Sequence, residues 1–257
     1  MIPKIIHFCW LSNDEFPPVI KKCMNTWKEI LPDYEFMLWN TETFKLEDNI
    51  WAKQAFDSKK YAFAADYIRL YAVYNYGGIY LDTDIEVIKS FNDLLERPYI
   101  IGTEGLGIIE AGIFGAEKKC LWVKQCLDYY TGKTFINKDG TYNTLTLPRI
   151  MMAQISKVRT IKEIHPNNLT VSEHKKDNSI LFMFPKDFFC AKDHGTGIIK
   201  KTDNTYSIHH FAMSWVPKKT TLFPNIKRKL ISIFGVRIIN GVITVLGLSK
   251  LKTFFKK

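Results

Sequence analysis

Gly77-Gly78-Ile79-Tyr80-Leu81-Asp82-Thr83-Asp84-Ile85-Glu86-Val87-Ile88 is the stretch that decides the architecture. Two glycines break what precedes them, three apolar residues make a short strand, and the alternation of a strand resumes after the second acid. The pair Asp82 and Asp84 is thereby expected at a strand end. Upstream, residues 61–76 are apolar and aromatic almost throughout, with Asp66 and Arg69 as the only charges, which predicts a largely buried helix stopped at Gly77-Gly78.

Outward from this centre, residues 4–11 form an apolar run expected to be a buried strand. Pro17 and Pro18 open a helix whose apolar positions, Ile20, Cys23, Met24, Trp27, Ile30 and Leu31, recur at helical spacing until Pro32. Residues 34–39 follow as a second strand. A β-α-β opening predicts an α/β domain with a mostly parallel central sheet. Further strands are expected at 98–102, 108–114, 180–184 and 205–211, and helices at 118–130 and 146–157, the last interrupted early by Pro148.

The 257 residues can bury one large core, and the net charge of +10 is not evenly spread. Residues 1–203 hold all 26 acids against 26 Lys and Arg, whereas residues 204–257 hold 10 basic residues and no acid. The division expected is a catalytic domain over 1–217 and a basic, amphipathic helical tail over 218–257. The tail's longest uncharged apolar stretch, 238–248, is about half the ~20 residues that span a bilayer, so it can lie on an anionic membrane surface but not cross it. A helix packed on the domain is the alternative. Its mainly aliphatic character argues against nucleic acid as a partner. Cys9, Cys23, Cys120, Cys126 and Cys190 have no metal-ligand spacing and are expected as reduced, mostly buried thiols. With an N-terminus lacking a cleavage-site pattern, this predicts a cytoplasmic protein, peripheral on the inner face of the plasma membrane if the tail binds lipid.

Two carboxylates one residue apart at a strand end can converge on Mn²⁺ or Mg²⁺, the hard cations that neutralise a diphosphate. Alone, D-x-D also fits a solvated turn. Asp66 and Arg69 share a face of their helix and make either a ligand-binding pair or a simple ion pair. His209 and His210 point to opposite faces of a late strand, so one at most faces the site. Trp10 can stack on a base or fill the core. Glu104 and Glu110 can contact an acceptor or be surface charges.

Four blocks, Ile2-Pro3-Lys4-Ile5-Ile6-His7-Phe8-Cys9-Trp10, Ala64 to Leu70, Gly77 to Asp84, and His209 to Trp215, together resemble glycosyltransferase family 32 in its D-x-D sugar-binding region, which is also related to the glucosylating domain of large clostridial toxins. The resemblance implies a GT-A-type nucleotide-sugar-binding fold and a retaining, metal-dependent hexosyl transfer from a nucleotide-diphosphate sugar, UDP-sugar favoured. The acceptor expected is a saccharide in bacterial capsule, exopolysaccharide or lipopolysaccharide synthesis, lipid-linked if the basic tail brings the enzyme to a membrane. By position the resemblance implies that Trp10 stacks on the base, with Tyr80 also at the donor, and that Asp66 and Arg69 hold the donor sugar and phosphates. It also implies that Asp82 contacts ribose and metal-bound water, and that Asp84 binds the cation with His209 near it. Ser214 lies near the diphosphate and Trp215 toward the glycosidic oxygen. The competing readings are a toxin-type transferase acting on protein, an aspartate-nucleophile phosphatase, which Glu86 disfavours, and a non-catalytic sugar-binding module.

Overall fold

Ile6 and Phe8 face one side of the first strand, β1 (Ile5–Cys9), and His7 and Cys9 the other, which is how a strand buried on both faces feeds two cores. The computed structural model of the chain describes residues 1–176 and 178–212, with residues 226, 230, 231, 235 and 238 beyond them. β1 pairs in parallel with β2 (Glu35–Trp39), to which α1 (Pro18–Ile30) connects it, and with β3 (Gly78–Leu81) on its other edge. β3 is flanked by β6 (Ile108–Ala116), and β6 by β5 (Tyr99–Gly105), both antiparallel. The sheet order is β2-β1-β3-β6-β5.

The expectation of a mostly parallel sheet is corrected: two of the four pairings are antiparallel. The cause is the turn between β5 and β6. Only Leu106 and Gly107 separate the strands, both with positive φ (55° and 71°), as a tight two-residue hairpin requires. Periodicity predicts strands but not their direction.

α2 (Ile50–Asp57), which sequence periodicity did not signal, is started by the Asn49 side chain, which accepts from Ala52 N at 2.9 Å. α3 (Tyr61–Tyr76) packs on the face of the sheet carrying Cys9 and Tyr80. Gly77 and Gly78 follow with φ of 70° and 101°. A Cβ on Gly78 would lie 2.6 Å from the Ile5 carbonyl, so no side chain fits between α3 and the β1–β3 pair. α4 (Leu121–Asp128) and α5 (Leu147–Ile155) cover the same face. Pro148 does not interrupt α5 as expected: it sits in the first turn, where its missing N–H is of no consequence. β4 (Ile85–Val87), β7 (Thr160–Glu163), α6 (Val171–Lys176), β8 (Ile180–Met183), α7 (Lys186–Phe189) and β9 (Ser207–His209) complete the described elements, with β7–β8 and β4–β9 forming two-stranded sheets.

The chain divides into one compact unit of residues 1–191 and 201–215 and a second of residues 192–200 and 216–257. The expected boundary at 217/218 and the helical form of the tail lie outside the described residues. Among the described residues no helix is long and apolar enough to cross a membrane. None of the five cysteines is in a disulfide, and four of them are buried, with Cys120 half-buried.

His7 is buried completely between two fixed partners: its Nε2 is 2.7 Å from the Gly77 carbonyl, and Trp39 Nε1 donates to its Nδ1 at 3.2 Å. These contacts suit the neutral ring, with Nε2 donating and Nδ1 accepting. Burial pulls the imidazole down to about 4, the Gly77 bond offsetting only part. Because the folded value lies below the unfolded 6.5, the folded chain binds fewer protons in between, and this contribution is lost as pH falls through that window. The expected loss is about 3 kcal/mol. In an NMR titration the His7 ring should stay neutral down to about pH 5; a midpoint near 6.5 would show that it is not so held.

Candidate active site

The D-x-D pair ends β3, as the sequence predicts. Asp82 N still donates to Gly112 O at 2.7 Å, extending the β3–β6 ladder by one residue, and Ile85 N donates back to Asp82 O at 3.0 Å to turn the chain into β4. The turn points both carboxylates the same way. β9 then pairs antiparallel with β4, placing His209 opposite Ile85. This register selects between the two histidines. His209 reaches the acids, whereas His210 faces the other way and its Nε2 lies 2.6 Å from Glu86 Oε2. Ligand atoms of Asp82, Asp84 and His209 lie within 4.8 Å of one another.

Each member is held by a second group. Arg69 lies 3.3 Å from Asp66 Oδ1 and 3.2 Å from Asp82 Oδ1, and its Nη1 donates to the Ala111 carbonyl at 2.8 Å. The Arg69–Asp66 pair is therefore part of the site as well as intrahelical. The Tyr80 hydroxyl donates to Asp82 Oδ1 at 2.8 Å, and the guanidinium lies 4.5 Å from the centre of its ring. Asp84 accepts from Ala212 N at 2.7 Å. His209 Nε2 is 3.4 Å from Asp84 Oδ1, and Nδ1 is 3.2 Å from Glu110 Oε1.

The charges follow from these contacts. Burial alone would raise the Asp84 carboxyl, but the His209 charge and the hydrogen bonds it accepts hold it near 2. Burial raises Asp66 to about 6 against the pull of Arg69, and it raises Asp82 against Arg69 and His209. Burial disfavours a charged His209, yet Glu110 and Asp84 outweigh it and raise the imidazole well above its ordinary value. Asp84 is thus the anionic anchor of the cluster.

The donor set fits a divalent cation. An ionised carboxylate, a second partly exposed one and an imidazole that gives up its proton as the ion binds, its other nitrogen tied to a carboxylate, are the ligand types and outer support such an ion uses. Gly112 keeps the space between them open. A Cβ there would lie 2.8 Å from His209 Cε1, 2.9 Å from Glu110 Oε1 and 3.0 Å from Asp82 Oδ2. Gly112→Ala is expected to push these groups apart and weaken Mn²⁺ binding about tenfold or more with the fold retained, since sub-ångström displacement of ligands suffices. Calorimetric titration of the ion measures this, and unchanged affinity would remove the steric role.

Of the residues predicted for the site, Asp66, Arg69, Tyr80, Asp82, Asp84 and His209 are brought together. Trp10 follows β1, with its ring centred 4.8 Å from that of Phe16 and Nε1 donating to the Asp14 carbonyl. Ser214 and Trp215 lie outside the described residues. Glu110 is corrected: it is a buried support for His209, taking the Gly112 N–H at 2.7 Å as well, not a surface charge or an acceptor contact. A lone acid inside the apolar run Ile108 to Ala116 was the available signal. Glu104 is half-buried on β5, where burial and then the Glu110 charge raise its carboxyl.

An α/β domain with a carboxylate-imidazole cluster beyond the C-terminal end of a central strand is the class that fold and site define. Residues 17–100 match the family described as glycosyltransferase sugar-binding region containing DXD motif. Inositol phosphoceramide mannosyltransferase 3 of Schizosaccharomyces pombe is 38% identical over 101 residues, 38% of this chain and 28% of that protein. Mannosyl phosphorylinositol ceramide synthase SUR1 of Saccharomyces cerevisiae is 33% identical over 113 residues, 42% of this chain and 29% of that protein. The chain thus spans less than a third of the length of either relative. Among solved structures, PaToxG glycosyltransferase aligns with a TM-score of 0.47 at 20% identity over 61% of this chain and 68% of that one.

Proposed function

We propose that this chain is a metal-dependent, retaining glycosyltransferase of GT-A type that moves a hexose from a nucleotide-diphosphate sugar to a lipid-linked hydroxylated acceptor. The observation that carries the reading is the convergence of Asp82, Asp84 and His209 within 4.8 Å, with Arg69 3.2 Å from Asp82, inside a D-x-D sugar-binding region. The names of the relatives support a mannosyl donor and a phosphoinositol-lipid acceptor as the first to try. UDP-sugars and bacterial surface polysaccharide follow from the family resemblance alone.

Asp84, Asp82 and His209 would hold Mn²⁺ or Mg²⁺, which when bound neutralises charge on the diphosphate. Asp66 and Arg69 orient the donor sugar and its phosphates. As the bond from the anomeric carbon to the diphosphate breaks, its electron pair leaves on the phosphate oxygen, where Arg69 stabilises the growing charge. The acceptor oxygen bonds the same face of that carbon and its proton passes to the departing oxygen, so no separate strong base is called for. Screening nucleotide sugars for Mn²⁺-dependent hydrolysis and thermal shift tests the reading; a wild-type protein that neither binds nor hydrolyses any of them refutes it.

Peripheral attachment at the cytoplasmic face of the plasma membrane belongs to the same proposal and rests on the basic, acid-free composition of residues 204–257. The intact chain should float with anionic vesicles and a chain cut after Pro224 should not; failure of the intact chain to float removes this part.

A further inference from the structure

A cleft of about 610 Å³ opens beside the carboxylate cluster, walled by Glu104 and Ile108 of the β5–β6 hairpin and by Arg149, Met152, Ala153 and Ser156 of the α5 region. These last four are spaced i, i+3, i+4 and i+7, so one face of the helix lines the cleft while Ile150, Met151 and Ile155 are buried behind it. Both walls are tied to the active site. Glu104 feels the charges of Glu110, His209 and Lys186, and the Leu147 N–H at the foot of α5 donates to the Asp66 carboxylate.

The polar groups of the two regions differ in one respect. In the D-x-D cluster each charged side chain is engaged by another group of the fold. In the cleft, the side chains of Glu104, Thr146, Arg149 and Ser156 make no hydrogen bond or ion pair among the described residues. A half-buried carboxylate, a guanidinium and two hydroxyls around an apolar strip of Ile108, Met152 and Ala153 suit a hydroxylated ring with an attached anion. The ring's hydroxyls meet the carboxylate and hydroxyls, its C–H faces meet the apolar strip, and a phosphate suits the planar fork of Arg149.

We propose that this cleft is the acceptor subsite, with Glu104 presenting the acceptor hydroxyl toward the D-x-D cluster and Arg149 receiving a phosphate carried by the acceptor. The inference rests on the transferase reading above and assigns the half of the site that reading leaves open. Neither residue is expected to be needed for folding, since Arg149 is exposed and the Glu104 side chain makes no hydrogen bond or ion pair among the described residues.

Glucose 1-phosphate and methyl glucoside, titrated by saturation-transfer NMR into the intact protein with Mn²⁺ and UDP or GDP present, test it. Glucose 1-phosphate should bind at least tenfold more tightly than methyl glucoside, and should lose about tenfold or more in Arg149→Ala and in Ala153→Trp, which fills the cleft. Equal binding in wild type and Arg149→Ala, or no binding of either probe, overturns the proposal. So does binding that survives Arg149→Ala but vanishes in Asp84→Asn, which would put the phosphate on the metal cluster, and so does equal competition by inorganic phosphate. Failure of UDP and GDP to bind would instead count against the transferase reading, because the proposal assigns the nucleotide to the D-x-D cluster and not to the cleft.

Discussion

Asp84→Asn is expected to lower Mn²⁺-dependent donor hydrolysis by at least about a hundredfold, the scale seen when a group that stabilises charge in the transition state is removed, while leaving the thermal transition nearly unmoved. The amide keeps an oxygen to accept from Ala212 N, so the loop that follows β9 stays anchored. What it removes is the member of the D-x-D pair that is held fully ionised, near 2, by its surroundings. Asp82, raised by burial and shared with Arg69 and Tyr80, cannot replace it. Loss of turnover with unchanged Mn²⁺ affinity would shift Asp84 from ion binding to substrate positioning. Undiminished turnover would end its role altogether.

Arg69→Met should have the largest effect on stability. The side chain is only 6% exposed and stands between Asp66 and Asp82, with a carbonyl and the Tyr80 ring as further partners. Removing it leaves the half-buried Asp66 and the partly exposed Asp82 without their cation, a change that costs about 3 kcal/mol. At about 2–4 °C per kcal/mol for a chain of this size, the melting temperature should fall by about 10 °C. Adding Asp82→Asn to Arg69→Met should restore part of the stability, because one orphaned charge is gone, but none of the activity. If the single variant melts within a degree or two of wild type, the guanidinium is not the keystone the geometry makes it.

These residues also show what a sequence displays and what it hides. The helix over 61–76, its glycine stop and the acids at a strand end were all legible, because each is a local matter of periodicity and breakers within one stretch of chain. The β-α-β opening was legible for the same reason. Strand direction was not, since it depends on a two-residue hairpin at Leu106-Gly107 whose effect is felt across the sheet. Alternation alone could not separate His209 from His210, though the family resemblance favoured His209; the β4–β9 register says which one faces the acids. Glu110 was given the wrong role and Gly112 passed over for a related reason: their importance lies in contacts with residues about 30 to 100 positions away. α2 is too short to show a period and is set by a single capping asparagine.

The pairing of β4 with β9 ties Ile85 to His209 across more than a hundred residues of intervening chain. During synthesis the D-x-D strand leaves the ribosome long before its histidine exists, so a nascent chain can hold a nearly complete sheet and still lack a third ligand. Closing that last short ladder is a long-range event of the kind that folds late. A cation held by all three side chains would therefore be available only to chains translated through His209 and folded there.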